Sequence, residues 1–185
     1  MTTHSHHDNV EKQFGSQANA YLTSAVHATG RDLQRLAERL SAFPHASVLD
    51  MGCGAGHASF IAAQNVKQVV AYDLSSQMLD VVAQAAKEKG LANITTRQGY
   101  AESLPFEDAV FDVVISRYSA HHWHDVGRAL REVNRVLKPG RCPDYYGCHV
   151  PRASGPRYLV TDGGGIARHL ARSQLFQRRM AGADE

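Results

Sequence analysis

Short apolar runs alternate with stretches of helical periodicity over most of the chain. Leucine and alanine recur at helical spacing in residues 33–40, which predicts an amphipathic helix. Four runs predict strands: the apolar runs at residues 47–51, 69–73 and 111–116, and a shorter run at residues 93–97. Further helices follow the first, second and fourth run; either Ser75 or Ser76 caps the second of them, and Asp125 begins the third. Strands that alternate with helices predict an α/β fold with a parallel sheet and flanking helices.

The periodic pattern ends at Gly140. Residues 141–185 hold three of the six prolines and six of the fifteen glycines, and their strand-like run is confined to residues 158–160. We therefore divide the chain into an N-terminal polar segment with a cap helix (1–43), a core (44–140) and a poorly ordered tail (141–185). We expect the distal strands of the sheet to be missing, which would leave the fourth strand with an open edge.

A shifted reading frame would explain the tail. A suitable choice of codons for residues 144–150, read one base out of frame, encodes an apolar strand of the expected kind. We therefore interpret the chain as truncated or frameshifted after Gly140.

Composition narrows the class of protein. The 185 residues are enough for one domain, with 43% hydrophobic and 21% charged residues. No apolar run is long enough to span a membrane, and the three cysteines fit a reducing cytoplasm, where we expect the protein to be located. Residues 1–140 carry a net charge of −1 and residues 141–185 a net charge of +3. Since the body has no basic stripe with interleaved aromatic residues, we expect no nucleic-acid partner.

The most informative feature is the turn between the first predicted strand and the next helix. The strand carries Asp50 and is followed by Gly52, Gly54 and Gly56, and Asp73 ends the second strand. Residues without side chains let the backbone approach a ligand closely, and a carboxylate in this position can accept hydrogen bonds from ribose hydroxyls. The sequence therefore predicts a nucleoside site. The alternative is a tight turn that only packs helix on sheet, with Asp73 capping the following helix.

The order of several segments resembles that of class I S-adenosylmethionine-dependent methyltransferases, which have a Rossmann-like fold. The segments are VLDMGCGAG at residues 48–56, AYDLS at 71–75, GYAESLPF at 99–106, FDVVIS at 111–116 and LREVNRVLKPG at 130–140. Within that family the chain is most similar to the small-molecule group that includes the ubiquinone and menaquinone enzymes. A nicotinamide-dependent oxidoreductase is disfavoured, because the glycines follow G-x-G-x-G and not G-x-G-x-x-G.

The resemblance implies S-adenosylmethionine as the cofactor, a small molecule as the methyl acceptor, and a role for each matching residue. The methionine end of the cofactor would lie against Asp50, Gly52, Cys53, Gly54 and Gly56. The ribose would lie against Asp73, and the adenine against Leu74, Met78, Ala101 and Glu102. Ser116 and Arg117 would lie at the carboxyl end of the fourth strand, where open α/β sheets bind their ligands. Tyr100 stands where the family often has an acidic residue at the adenine.

The segment after the fourth strand contains the candidate catalytic residues, His121 and His122. Either side chain could face the acceptor as a base, since histidine exchanges protons near neutral pH; the alternative is that both are bonded only to backbone. We expect no metal site, because adjacent histidines rarely converge on one ion. Methyl transfer needs alignment more than a catalytic group. An inactive, cofactor-binding remnant is the second hypothesis for the chain, and its oligomeric state is left open.

Overall fold

A computed structural model describes residues 30–139 and the backbone of residues 158–161. The expectations for residues 1–29, and those for most of the tail, lie outside the described residues. The described helices are α1 (Arg31–Leu40), α2 (His57–Ala63), α3 (Ser76–Glu88) and α4 (Val126–Val136). The described strands are β1 (Ser47–Met51), β2 (Gln68–Asp73), β3 (Ile94–Gln98), β4 (Val113–Arg117) and β5 (Tyr158–Thr161).

The strands form one parallel sheet in the order β3-β2-β1-β4-β5. Asp50 of β1 is in register with Ala71 of β2 on one side and with Ile115 of β4 on the other. Because all strands run in the same direction, the carboxyl ends of β1, β2 and β4 meet at one edge of the sheet. The predicted α/β class with a Rossmann-like sheet is confirmed.

The expectation of an open edge on the fourth strand was wrong. Tyr158–Thr161 pairs with β4 in parallel, with Tyr158 opposite Val114 and Thr161 opposite Arg117. The run has the β-branched and aromatic composition that favours strands, so a short segment of the tail supplies the hydrogen bonds that β4 needs. The start of β4 also differs from the prediction, because Phe111 forms an isolated bridge with Leu137 ahead of the strand.

Apolar clusters cover both faces of the sheet. On one face, α1 buries its leucines, Leu36 among them, against Val48 of β1 and Val113 of β4. On the other face, Leu49 packs with residues of α4 such as Val136. Neighbouring residues of β1 thus point into different clusters, which is the alternation of a strand buried on both sides.

Two cap residues fix where the helices beside the cleft begin. The Ser75 hydroxyl accepts a hydrogen bond from the Met78 amide at 3.3 Å, so Ser75 and not Ser76 caps α3. The Asp125 carboxylate accepts from the Arg128 amide at 2.9 Å and begins α4, as predicted. Side chains at these positions satisfy amides that have no partner inside the helix.

Candidate functional site

A cleft opens where the carboxyl ends of β1, β2 and β4 meet. Open α/β sheets bind their ligands at this edge. The lining residues come from the segments after β1, β2, β3 and β4; they are Asp50, Met51, Gly52, Cys53, Gly54, Ala55, His57, Ala58, Tyr72, Asp73, Leu74, Ser75, Met78, Gly99, Tyr100, Ala101, Glu102, Arg117, Tyr118, Ser119, His122 and Trp123.

The glycine loop, residues 52–56, is held against the end of β2. The amides of Gly52 and Cys53 both donate to the carbonyl oxygen of Tyr72, at 2.8 and 3.0 Å. The loop therefore keeps a fixed position relative to the next strand.

Two glycines of this loop have different surroundings although both have positive φ angles. At Gly56, with φ of +85°, an added Cβ would lie 2.8 Å from a methyl of Val82 and 3.0 Å from the Phe60 ring. At Gly54, with φ of +52°, an added Cβ would meet no atom within 4 Å. Gly56 thus permits close packing against α3, whereas Gly54 presents bare backbone to the open cleft.

Asp73 joins the glycine loop to the start of α3. One carboxylate oxygen accepts a hydrogen bond from the Gly54 amide at 2.8 Å, and the other accepts from the Ser75 amide at 2.9 Å. The bond from the Ser75 amide lies ahead of the helix, and Ser75 itself caps α3, so Asp73 is not the capping residue that the alternative interpretation required. A carboxylate oxygen has two lone pairs, so both oxygens can accept a further bond from a ligand. Burial raises the pKa of Asp73.

Asp50 is a fully buried carboxyl group at the floor of the cleft. Its Oδ2 accepts a hydrogen bond from the Ser59 hydroxyl at 2.6 Å, while Oδ1 has no hydrogen-bond partner among the described residues. Burial raises the pKa of Asp50 to about 7; the bond from Ser59 opposes this shift, and the charge of Asp73 adds to it. A ligand group that donates to Oδ1 would favour the ionised form of Asp50.

The segment after β3 forms a second wall of the cleft. The Tyr72 hydroxyl donates to the carbonyl oxygen of Tyr100 at 3.0 Å, which fixes the backbone beside Ala101. Glu102 is 9% exposed, and its Oε1 accepts from the amides of His124 and Asp125 at 2.7 and 3.1 Å. Glu102 therefore connects this wall to the segment that follows β4.

The exit of β4 carries a buried cation. Arg117 has a side chain 8% exposed, and its Nε donates to a carboxylate oxygen of Asp32 on α1 at 2.5 Å. Its guanidinium lies 4.6 Å from the centre of the Tyr118 ring, and Tyr118 has a positive φ angle of +54°. The ion pair ties α1 to the edge of the cleft, and a positive φ outside glycine is a conformation often found at functional sites.

The histidine loop, residues 118–125, holds the candidate catalytic side chains. His122 lines the cleft beside Trp123, and Trp123 also packs against the apolar cluster around Leu49. The His121 ring is exposed, lies outside the cleft lining and is centred 3.8 Å from the ring of His122. Of the two histidines left open by the sequence, His122 is thus the one that faces the cleft.

The cleft brings together most of the residues singled out from the sequence. Ten of them line it: Asp50, Gly52, Cys53, Gly54, Asp73, Leu74, Met78, Ala101, Glu102 and His122. Three lie outside the lining: Gly56 is packed beneath the loop, His121 is exposed, and Ser116 is buried with its hydroxyl 2.5 Å from that of Ser119. Arg117, which was expected with Ser116 at the carboxyl end of the fourth strand, also lines the cleft. Sequence reasoning missed Trp123, which lies among the histidines of the next segment.

The described part of the chain contains neither a metal-binding cluster nor a membrane-spanning helix. Within residues 30–139, no three histidine, cysteine, aspartate or glutamate side chains come together as a metal site would require. No helix in the same residues is long and apolar enough to cross a membrane. The cytoplasmic location and the absence of a nucleic-acid partner stay predictions.

The fold and the cleft define a nucleoside-binding domain of the Rossmann-like type, with a glycine loop after β1 and an acidic residue at the end of β2. Residues 49–141 match the family model described as a methyltransferase domain, and the chain belongs to this family. By family it is an S-adenosylmethionine-dependent methyltransferase.

Two relatives of this chain are named as methyltransferases, and a third is named only as an uncharacterized protein. The uncharacterized methyltransferase YcgJ of Bacillus subtilis is 41% identical over 128 residues, which is 69% of this chain and 51% of YcgJ. The crystal structure of YcgJ superposes with a TM-score of 0.56 over 58% of this chain and 46% of that one. The uncharacterized protein YafE of Escherichia coli is 75% identical over 89 residues, 48% of this chain and 43% of YafE. The demethylmenaquinone methyltransferase of Lactococcus lactis is 33% identical over 140 residues, 72% of this chain and 56% of that enzyme.

The chain spans about half the length of the curated relatives it matches. The family match covers residues 49–141, which include all the residues that line the cleft.

Proposed function

We propose that the protein transfers a methyl group from S-adenosylmethionine to a small molecule, with the cofactor held in the cleft at the ends of β1 and β2. The observation that carries this proposal is the pairing of Gly54 with Asp73. The Gly54 amide is bonded to the Asp73 carboxylate, and the missing side chain of Gly54 leaves open space in front of the same backbone. Bare backbone beside a buried carboxylate suits a ribose and the chain attached to it.

The chemistry of the cleft fits a cofactor with a positive charge. Asp50 offers Oδ1, a buried acceptor without a partner among the described residues, to the ammonium group at the methionine end. The loop residues Gly52, Cys53 and Gly54 lie next to it. Asp73 accepts from the ribose hydroxyls.

Apolar and polar residues would hold the adenine. Leu74, which precedes α3, and Met78 in its first turn would supply apolar contacts, and Ala101 and Glu102 would lie at the edge of the ring. Gly56 and Ser116 support the site from beneath, through the packing of the loop and the bond to Ser119.

When bound, S-adenosylmethionine supplies a methyl group on a sulfonium centre, which is already a good leaving group. The chain itself then has to align the acceptor and exclude water. Trp123 and Tyr118 give the acceptor side of the cleft aromatic surfaces, and His122 offers an imidazole at the same wall. In this proposal His122 accepts the proton that the acceptor loses, or positions the acceptor by a hydrogen bond.

We propose a reduced quinone as the acceptor class. A demethylmenaquinone methyltransferase is 33% identical over 72% of this chain, and the aromatic rings beside His122 suit a planar ring. A hydroxyl of such a ring, once it loses its proton, makes the ring carbon next to it nucleophilic.

Calorimetric titration of the full chain with S-adenosylmethionine and, separately, with NAD tests the cofactor. We expect binding of S-adenosylmethionine alone, and binding of NAD in its place would refute the proposal. Asp73→Asn should weaken binding by about ten-fold or more, because a charge-assisted hydrogen bond contributes about 1.5–3 kcal/mol. Asp80→Asn is the matched control, since Asp80 is exposed on α3 and outside the cleft.

Transfer of the labelled methyl group from S-adenosylmethionine to reduced naphthoquinones and benzoquinones tests the acceptor. Label in the quinone supports the proposal. Cofactor binding without transfer to any member of the panel would favour the second candidate, a remnant that binds cofactor without turnover. The loss of periodicity after Gly140 supports that candidate. The nucleotide sequence around the codons of Gly140 and Arg141 then decides whether a frameshift produced the tail.

A further inference from the structure

The histidine loop is fastened at both of its ends to the segments that face the cofactor side of the cleft. At its start, the Ser119 hydroxyl donates to the carbonyl oxygen of Met51 at 3.2 Å, directly before the glycine loop. At its end, the amides of His124 and Asp125 donate to Oε1 of Glu102. The residues between these anchors include His122 and Trp123.

The bonds at Glu102 are the stronger anchor. A carboxylate that accepts two backbone amides makes charge-assisted hydrogen bonds, which are about twice as strong as neutral ones. Its negative charge also lies at the N-terminus of α4, an eleven-residue helix, where the helix dipole favours an anion. Because Glu102 is 9% exposed, water competes little for these bonds.

Glu102 belongs to the same short segment as Tyr100 and Ala101, which line the opposite wall of the cleft. One side chain thus spans the distance between the wall beside the cofactor and the loop beside the acceptor. A displacement of this wall therefore moves the backbone of His124, and through it the neighbouring Trp123.

We propose that Glu102 is a positioning residue that fixes the histidine loop, so that His122 and Trp123 keep their places at the acceptor side of the cleft. This proposal rests on the proposed function, which assigns one side of the cleft to the cofactor and the other to the methyl acceptor. Glu102 then has a second role besides its contact at the adenine edge. Its carboxylate couples cofactor binding to the position of the histidine loop.

Hydrogen exchange in the ligand-free protein tests the anchor directly. Glu102→Ala removes the acceptor, so the amides of His124 and Asp125 should exchange about ten-fold faster or more. Glu102→Asp keeps the charge but withdraws it by one methylene, and should behave like Glu102→Ala. Glu102→Gln keeps an acceptor oxygen in place but loses the charge, so its exchange should lie between those of the wild type and Glu102→Ala. Unchanged exchange in both Glu102→Ala and Glu102→Asp would overturn the proposal.

Tryptophan fluorescence tests the coupling, because Trp123 is the single tryptophan of the chain. Addition of S-adenosylmethionine should change its emission in the wild type and in Glu102→Gln, but not in Glu102→Ala at a cofactor concentration that saturates the variant by calorimetry. A wild-type response in Glu102→Ala would contradict the coupling.

Glu132→Ala is the matched control. Glu132 accepts from the Leu104 amide on the same wall at 2.8 Å and pairs with Arg135, but makes neither bond to the histidine loop. Its fluorescence response and its exchange at His124 should match the wild type; a change equal to that of Glu102→Ala would mean a general loosening of the wall. If the wild type does not bind S-adenosylmethionine, the proposed function is wrong. The hydrogen-exchange measurements would still test whether Glu102 fixes the histidine loop.

Discussion

Replacing Asp50 with asparagine should move stability and cofactor affinity in opposite directions. Asp50 is fully buried, and burial raises its pKa from 3.8 to about 7. An asparagine keeps the oxygen that accepts from Ser59 but carries no charge. The variant therefore lacks the buried negative charge of Asp50. This charge destabilises the ligand-free protein, but in the proposed function it binds the ammonium group of the cofactor.

The size of the effect follows from the pKa. A change from 3.8 to about 7 corresponds to about 4 kcal/mol, at about 1.4 kcal/mol per pH unit. Because the folded state holds the proton of Asp50 more tightly, it binds more protons than the unfolded state between about pH 4 and pH 7. The free energy of unfolding therefore falls as the pH rises through this interval, and the fall amounts to about 2–3 kcal/mol between pH 5 and pH 8.

Urea unfolding of the wild type and of Asp50→Asn at pH 5, 6, 7 and 8 measures this difference. We expect a smaller decline in the variant, in which only other groups such as Asp73, whose pKa burial also raises, still contribute. At pH 8 the variant should be the more stable protein, yet it should bind S-adenosylmethionine about ten-fold or more weakly. Equal pH slopes in the two proteins would refute the reasoning about Asp50, and equal affinity would remove it from the cofactor site.

The glycine loop and the histidines allow further tests. Gly54→Ala should weaken S-adenosylmethionine binding about ten-fold, because its Cβ enters the cleft, and should lower the free energy of unfolding by only about 1 kcal/mol. Gly56→Ala should lower the free energy of unfolding by about 1–3 kcal/mol, because its Cβ would press on Val82. If both variants lost the same stability and the same affinity for S-adenosylmethionine, the assignment of Gly54 to binding and of Gly56 to packing would be wrong. In the labelled-methyl assay, His122→Ala should lower the rate about 100-fold if His122 is the base, while His121→Ala should stay close to the wild type. A reversed order would assign the role to His121.

The elements that frame the site could be predicted because their signals are local. The strand before Asp50, the glycines after it and the helix that begins at Asp125 each depend on residues a few positions apart. A cap is local as well, but the choice between Ser75 and Ser76 needed the bond from the Met78 amide, which adjacent hydroxyls cannot reveal in a sequence.

The parts that the sequence could not provide depend on contacts between distant segments. The sequence treats Gly54 and Gly56 alike, and only the position of Val82 on another helix distinguishes the glycine that packs from the one that faces the cleft. In the same way, the bond between Glu102 and the amide of His124 joins residues 22 positions apart. The pairing of residues 158–161 with β4 is a further long-range contact, and it is why the predicted open edge was wrong.

The two sides of the cleft differ in how strongly their residues depend on one another. This difference determines which side chains can be replaced to change the methyl acceptor. On the cofactor side, the glycine loop is bonded to Tyr72 and Asp73, so a change at one position disturbs the others. On the acceptor side, His122 and Trp123 lie between the two anchors of the histidine loop, and Tyr118 lies directly before the first of them. These three side chains can change without removing the bond from the Ser119 hydroxyl to Met51 or the bonds from the loop amides to Glu102. We therefore expect the ends of β1 and β2 to determine cofactor binding, while a few side chains of the histidine loop determine the choice of acceptor.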